Sequence, residues 1–477
     1  MFERVTKWMR ASPLVVPVLV FLLSLPAVTV RLYASDEIEY FAYLRSVWFD
    51  HDLSFDNEYR FFYDRGVGRG ARFHEAFLET TTATGLRVNL APVGTAIMWA
   101  PFYLVADAGV RAARLLGANV AADGFSRPYI AAVTYGSAVY GFLALLLSGL
   151  AVRRILGADV ASLAAVWLGT PLVFYMYVAP GFSHACSAFA VAAFVLTWLR
   201  VRDTWSWRGV LSLGALAALM GMVREQDVFI AAGPAIDYAV GQVRAVSAGR
   251  VSVGASMLLA TAGVLTFAVC FLPQAAAYEI LYGHLGPSPI VAQKMTWTAP
   301  YAWKVLASPA NGLFFWTPLA LLALLGLGCL SVGRLRGASS DRRTSPDAWV
   351  GALCLFMVLT QVYVVGSFAT WMGAGSFGQR RLVGLTVFMA IGLASLVRLA
   401  GTGWRQWGLS VLVAACVWWN LGLIVQFGTG LMDRQAMDPR LNAYHNFVTI
   451  PRTLPTLAYR YVFDRESFYQ TRMSSVP

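Results

Sequence analysis

The chain has 477 residues, of which 58% are hydrophobic and only 13% charged, with a mean hydropathy of +0.60. Soluble domains carry about 25% charged residues, so a water-facing surface cannot be assembled from this composition. The net charge of +12 is scattered between apolar runs and forms no basic face, which sets nucleic acid aside as a partner.

A bilayer core about 30 Å thick asks for roughly 20 apolar residues per helix. Runs of that kind fall near 13–33, 129–152, 158–178, 252–281, 311–332, 348–367, 380–399 and 405–427. Shorter ones fall near 183–199, 209–223 and 227–241, and one more, 90–109, is interrupted by Pro92, Gly94 and Pro101. Arg4, Lys7 and Arg10 place the N-terminus in the cytoplasm. If 90–109 is only a partial, re-entrant or interfacial segment, thirteen arginines lie in cytoplasmic loops. Five bases then remain in the short outer loops after residue 128. If it crosses, the bias inverts. The expectation is therefore an all-α polytopic membrane bundle with about eleven transmembrane helices plus one partial segment. It forms a single membrane domain with a first outer loop 34–88, a bundle 89–427 and an outer tail 428–477. The first segment has signal-peptide features, but its length and the ten crossings after it favour an uncleaved anchor. Cys186, Cys270, Cys329, Cys354 and Cys416 all sit in apolar runs and predict neither a disulfide nor a metal site.

The loop 34–88 holds ten of the 25 acidic residues and two of the five histidines, His51 and His74. That density suits a cationic ligand, a metal or an acid/base site, and equally suits a loop in which charge is simply solvated. Residues 37–49 read as an amphipathic helix along the membrane surface, with Ile38, Phe41, Leu44 and Trp48 on one face. Asp36 and Glu39 have capping-box spacing, which would make Asp36 the start of that helix. A carboxylate fixed at the mouth of a membrane cavity is also well placed as a general base.

Several polar residues that interrupt apolar runs fall on the same outer side. They are His184 after Gly181-Phe182-Ser183, then Arg224, Glu225 and Asp227, then Gln379-Arg380-Arg381. Ionisable groups near membrane depth are costly, and are usually functional or paired. The segments flanking Arg224 are short, which would let its turn dip into a cavity. Against this, Arg224 could pair with Asp227 or Glu225 to hold helices together, and Arg380-Arg381 could anchor an interface. An outward cavity with a carboxylate at its rim and arginines near its wall suits a phosphate-bearing lipid.

The fragment Asp36-Glu37-Ile38-Glu39-Tyr40 resembles the Asp-Glu-x-x-Tyr signature of GT-C-fold glycosyltransferases, which include protein O-mannosyltransferases and aminoarabinose transferases. Asn89-Leu90-Ala91-Pro92-Val93-Gly94 occupies the place of that family's basic-Pro-Pro segment. Ser376-Phe377-Gly378-Gln379-Arg380-Arg381 is similar to a motif of bacterial members. The resemblance implies transfer of a sugar from a polyprenyl-phosphate donor to a hydroxyl of a lipid, glycan or protein acceptor, with inversion. Asp36 would be the catalytic base, with Glu37 beside it. Tyr40, Asn89, His184, Arg224, Arg380 and Arg381 would bind substrate, the arginines stabilising the departing phosphate. Asn89 stands where members place lysine or histidine, and Val88 where some relatives have a metal-binding glutamate. No metal is assigned; His74, Glu75 and Glu79 are candidates by local density, and no organic cofactor is expected. The implied setting is a bacterial inner membrane, with the N-terminus cytoplasmic and the active site periplasmic. The rival readings are a transporter or flippase of a lipid-linked sugar, using Arg224 and His184, and a non-catalytic scaffold. The aromatic tail, with Tyr444, Tyr459, Tyr461, Phe463, Phe468 and Tyr469, would cap the cavity, recognise the acceptor or form a packed outer plug.

Overall fold

A computed structural model describes residues 15–67, 73–157, 161–333, 348–373, 375–465 and 467–468. Arg4, Lys7, Arg10, Arg334, Arg336, Arg342, Arg343 and Tyr469 lie outside the described residues. Within them every regular element is helical, and extended backbone pairs only at two isolated bridges, Thr81–Arg87 and Met295–Phe368. In chain order the main helices are α1 (Val15–Ser24), α2 (Ser35–Arg45), α3 (Asp56–Asp64), α4 (Gly94–Leu115) and α5 (Arg127–Leu156). They continue with α6 (Ala161–Gly169), α7 (Leu172–Tyr177), α8 (His184–Val201), α9 (Trp207–Val223), α10 (Ala232–Ser247) and α11 (Val253–Tyr282). The last are α12 (Leu319–Ser331), α13 (Ala348–Gly366), α14 (Thr386–Ala400), α15 (Trp404–Thr429) and α16 (Ile450–Phe463).

Six helical stretches are long and apolar enough to cross a bilayer: α5, α8, α11, α13, the Arg380–Ala400 stretch that ends in α14, and α15. The most apolar stretch of α11 has no residue buried inside the protein, and it exposes Met257, Leu258, Val264, Leu265 and Leu272. A helix so apolar and so uncovered needs lipid rather than water around it. The chain is a helical membrane protein.

Helix ends follow local chemistry. Gly157, at φ +71°, closes α5 in the left-handed conformation that only glycine adopts cheaply, with its N–H on the Arg153 carbonyl. Ser206 caps α9 through Gly209 N, and Ser252 caps α11 through Ala255 N. Pro171 interrupts the run from α6 to α7, and carbonyls freed at the break need new donors. Asn420 of α15 supplies them, its Nδ2 donating to Leu168 O (2.7 Å) and Thr170 O (3.1 Å).

The helices have two distinct ends. At one, Arg154 pairs with Asp203 (2.6 Å), Arg202 pairs with Asp237 (2.9 Å), and Trp198 and Trp349 donate to that same Asp237. Arg398 there donates to Leu156 O. His184 opens α8 at the other end, and Arg202 follows the last turn of α8 roughly 27 Å away. Arg154, Arg202 and Arg398, all expected in cytoplasmic loops, thus lie at the end away from His184.

Segment 90–109, expected as a partial crossing, is helical from Gly94 onward. It belongs to α4, a continuous 22-residue helix that carries Pro101 inside it. Trp99 Nε1 donates to Ser137 Oγ (2.8 Å), Tyr140 OH to Met98 O (2.9 Å) and Tyr129 OH to Asp107 Oδ1 (2.7 Å). This pairing runs α4 antiparallel along the first half of α5, away from the arginine end. Although long, α4 does not return the chain to that end.

The helix at 37–49 also differs from the surface-lying one expected. Every residue from Glu37 to Leu44 is buried, while Trp48 stays exposed and donates to Asp107. An aromatic core packs Phe41 of α2 with Phe55, Tyr59, Phe62, Tyr103 and Phe125. Arg45 lies over the Phe125 ring at 4.4 Å and pairs with Glu58 and Asp50. The polar face of the sequence pattern is therefore satisfied by hydrogen bonds and not by water. The unit begun by the first outer loop continues through α4, beyond the boundary at 88.

The tail packs back against the helices. Asn442 and Asn446 engage Gln426 of α15, while Tyr461 and Arg465 donate to carbonyls at Pro26 and Ala27. Tyr444, Tyr459 and Phe463 stay exposed.

Small residues set the closest helix contacts, as in other membrane bundles. A Cβ added at Gly392 of α14 would collide with the Ala323 carbonyl of α12, and one at Gly326 would collide with Gly392. Gly328, on the same helix as Gly326, faces open space. Gly392→Leu is expected to destabilise by about 1–3 kcal/mol or more through overpacking, whereas Gly328→Ala is neutral or slightly stabilising. Thermal unfolding of the detergent-solubilised variants checks this; equal midpoints for the two would show that the α12–α14 contact is slack.

Candidate active site

Asp36 lies in the first turn of α2, but it does not cap that helix. Glu37 does so: its Oε2 accepts Tyr33 N (2.8 Å) and Ala34 N (3.0 Å), satisfying donors that a helix start leaves free. Its other oxygen lies against Gly181, where a Cβ would stand only 2.8 Å from it. The capping reading thus belongs to Glu37, and Asp36 is left to face outward from the helix. Its side chain keeps 38% exposure, all the neighbouring α2 residues after it being buried.

Asp36 opens onto a cavity of about 470 Å³. Glu39, Tyr40, Arg224, Lys294, Arg380 and Arg381 share its wall, with Pro92, Phe229, Trp297 and Phe368 adding apolar surface. Arg380 Nη1 donates to Asp36 Oδ2 at 2.9 Å, so residues 344 positions apart are paired. The segment before Arg380 is fixed by Asn311, whose Nδ2 donates to the carbonyls of Ser376 and Gly378. Gly378, at φ +63°, makes the turn that aims Arg380 at Asp36. The Arg380 guanidinium also sits 5.4 Å over the Phe182 ring.

The other two arginines are held separately. Arg224 Nη1 donates to His184 Nδ1 (2.8 Å) and to Ser183 Oγ (3.3 Å), and Tyr40 OH also donates to Ser183 Oγ (3.0 Å). Accepting from Arg224 requires His184 Nδ1 to carry no proton, so the ring is neutral with its hydrogen on Nε2. Arg381 lies 4.4 Å over Phe368, donates to Thr370, and has its carbonyl held by Gln226 Nε2. Buried Nε groups of Arg224 and Arg381 have no hydrogen-bond acceptor. Buried donors without partners are expensive, and their presence around a cavity marks room for an anionic ligand.

Of the eight site residues expected from the sequence, five reach the wall: Asp36, Tyr40, Arg224, Arg380 and Arg381. Three stand behind it. Glu37 starts α2, His184 orients Arg224, and Asn89 Nδ2 donates to Glu39 O while its Oδ1 accepts Ala91 N. Asp227, one expected partner of Arg224, instead accepts from Ser187 Oγ at 2.6 Å, and Glu225 accepts from Tyr278. The charged wall residues outside that expected set are Glu39, Glu225 and Lys294. Glu39 is one helical step from Asp36, the i, i+3 relation that puts both on one face. Lys294 carried a weaker signal, as one of only three lysines in the chain and the one in an outer loop near Pro287 and Pro289. His74 pairs with Glu79 at the surface (2.9 Å), and neither they nor Glu75 line the cavity. Among the described residues no group of three or more His, Cys, Asp or Glu side chains is placed to hold a metal ion.

The carboxyls of Asp36 and Glu39 differ in charge. Burial raises the proton affinity of Asp36, but Arg380, Arg381 and Arg224 outweigh it and hold the carboxyl below its usual value of 3.8. Glu39 is pushed up to about 8, first by burial and then by the Asp36 charge, although the amides of Leu90 and Ala91 pull the other way. Leu90 N donates to Glu39 Oε1 at 2.6 Å. Near neutral pH four cations therefore face three carboxyl groups on the cavity wall, Asp36, Glu39 and Glu225, of which Glu39 is largely protonated. An anion is the natural occupant. Comparison with protein-family models finds no match for this chain, and a search of curated proteins finds no significant relative.

The raised proton affinity of Glu39 has a sign that can be measured. The unfolded chain releases this proton near 4.5 and the folded chain near 8, so stability falls as pH rises between those values and levels off above them. Glu37, pushed up to about 8 mainly by burial, shares this limb. Thermal unfolding in detergent from about pH 5 to 8.5 should decline less steeply in Glu39→Gln than in the wild type. An unchanged slope would show that Glu39 ionises in the folded state as it does in water.

Proposed function

We propose that the chain is a GT-C-type glycosyltransferase that moves a sugar from a polyprenyl-phosphate donor to a hydroxyl on a lipid, glycan or protein acceptor. The observation that carries this reading is the convergence of Asp36, Arg224, Arg380 and Arg381, from distant parts of the sequence, on one cavity. Apolar side chains in the same wall suit the first isoprene units of the donor.

The step balances as follows. The acceptor oxygen forms a bond to the anomeric carbon while its proton passes to an Asp36 oxygen. The bond from that carbon to the phosphate oxygen breaks on the opposite face, and the electron pair leaves with the lipid phosphate. Attack from the opposite face inverts the anomeric configuration. Arg380, Arg381 and Arg224 stabilise the charge that develops on the leaving phosphate, where such donors act most strongly away from water. Asp36 paired to Arg380 is a weak base. A donor phosphate competes for that guanidinium, and a carboxylate that loses its cation gains proton affinity. The base thus becomes competent when the donor is in place.

The same reading sets the topology. It takes eleven crossings: α1, α5, the α6–α7 leg, α8, α9, α10 with the Glu225–Ala231 turn before it, α11, α12, α13, α14 and α15. The direction of α4, away from the arginine-rich end, supports leaving it out. With the arginine-rich end cytoplasmic, the N-terminus is cytoplasmic and the cavity opens to the periplasmic side of a bacterial inner membrane.

The test is sugar release from radiolabelled polyprenyl-phosphate sugars in vesicles carrying wild type or Asp36→Asn. Loss of a proton acceptor should lower turnover about 10²–10⁴-fold. The thermal midpoint should stay within a few degrees of wild type. Turnover that survives would reduce Asp36 to a counter-ion for Arg380. Movement of the labelled lipid across the bilayer without sugar release would replace the enzyme by a transporter.

A further inference from the structure

Lys294 reaches the cavity from an outer loop that no other cation of the site shares. That loop is fastened to the segment after α13 by paired backbone: Ala369 N donates to Lys294 O (2.8 Å), and Thr296 N to Ser367 O (2.7 Å). Met295 and Phe368 form the isolated bridge between them. Phe368 is the ring over which Arg381 lies. One short piece of extended backbone therefore sets the positions of two cations, Lys294 on one strand of the bridge and Arg381 against the other.

Their surroundings differ in a way that matters for binding. Arg380 is matched by Asp36, and Arg224 is engaged by His184 and Ser183. The Lys294 side chain makes no hydrogen bond or salt bridge among the described residues, and it stands on the cavity wall. Its nearest acidic company there is Glu39, which Lys294 draws toward ionisation while burial favours the protonated form, so the ammonium is only partly matched. A partly matched ammonium and a guanidinium with an unpartnered Nε, on the wall of one cavity, leave positive charge unmet when the cavity is empty. An anion bound by both supplies that charge and gains two charge-assisted contacts.

We propose that Lys294 and Arg381 form a two-sided clamp, built on the Met295–Phe368 bridge, that grips the phosphate of an isoprenoid phosphate. This rests on the donor class proposed above and adds to it a phosphate ligand outside the Asp-Glu motif and outside the three arginines. The clamp binds the phosphate monoester product as well as the donor, because both present the same oxygens. It takes no part in proton transfer.

Binding of farnesyl phosphate, farnesol and inorganic phosphate to the detergent-solubilised full chain tests the clamp without any turnover. Wild type is expected to bind farnesyl phosphate and to bind farnesol and inorganic phosphate at least tenfold more weakly. Lys294→Met, which keeps the stem and removes the charge, should weaken farnesyl phosphate about tenfold and leave farnesol unchanged, and Lys294→Arg should restore most of the loss. In a double-mutant cycle, Lys294→Met and Arg381→Met should be non-additive, since both grip one anion. Farnesyl phosphate bound equally by wild type and Lys294→Met, with thermal midpoints matched, overturns the clamp and leaves the Asp36 reading standing. Inorganic phosphate bound as tightly as farnesyl phosphate overturns the isoprenoid assignment. No binding of farnesyl phosphate to wild type overturns the clamp together with the donor class, whereas Asp36→Asn tests the base alone.

Discussion

Everything at the cavity turns on one ion pair, between Asp36 at the start of α2 and Arg380 just before α14. Neither partner is sealed: the Asp36 side chain is 38% exposed and that of Arg380 18%. A pair fully removed from water must repay a desolvation penalty of several kcal/mol per ion, which good geometry alone seldom does. Here the cavity leaves both groups partly hydrated, so the pair is strong enough to fix the two elements and loose enough to exchange partners. Burying it further would turn a site into a strut.

The supports behind the wall explain how the pair is kept in register. Glu37 ties the start of α2 to the backbone before it and abuts Gly181. The same loop carries Ser183 and His184, which hold Arg224. Asn89 links α2 to the turn before α4, and Asn311 holds the turn before Arg380. Glu37, Asn89 and Asn311 bind backbone, whereas Ser183 and His184 bind the Arg224 side chain. In a low-dielectric interior such groups are costly unless matched, and matched they are rigid. The division of labour follows from size: short amides and carboxyls lock the frame, while arginines reach from the frame into the cavity.

What could be read from the sequence was set by hydropathy and by charge placed where it is expensive. The all-helical membrane character, and the gathering of Asp36, Tyr40, Arg224, Arg380 and Arg381 on one side, both follow from those two signals. The aromatic unit around α2 was hidden because an amphipathic pattern is also produced by a helix whose polar face is buried against hydrogen-bond partners. Ile38, Phe41 and Leu44 made a stripe, but Glu37, Glu39 and Tyr43 on the other face are buried too. Segment 90–109 was read as a partial crossing from the placement of arginines in the loops, a signal that does not show how far α4 runs on, to Leu115. His184 and Asn89 were placed in the site by position along the chain, which does not distinguish a wall residue from the one behind it. Lys294 was obscured for the opposite reason: nothing local to residue 294 shows that residues 367–369 pair with it.

The charge inside the cavity gives the arrangement its direction. Four cations face the carboxyls of Asp36, Glu39 and Glu225, of which Glu39 is largely protonated, an excess of positive charge that an anion would relieve. The Asp36 carboxylate gains nothing from the newcomer. In the proposed reaction a phosphate drawn to the guanidiniums would take Arg380 from Asp36, and the carboxylate, left with fewer cations, would recover the proton affinity that pairing had removed. Binding energy from the phosphate would in this way be converted into basicity at the neighbouring oxygen. That conversion needs no movement of α2 and only a rotation of one side chain, which is why the frame around the pair is rigid and the pair itself is open to water.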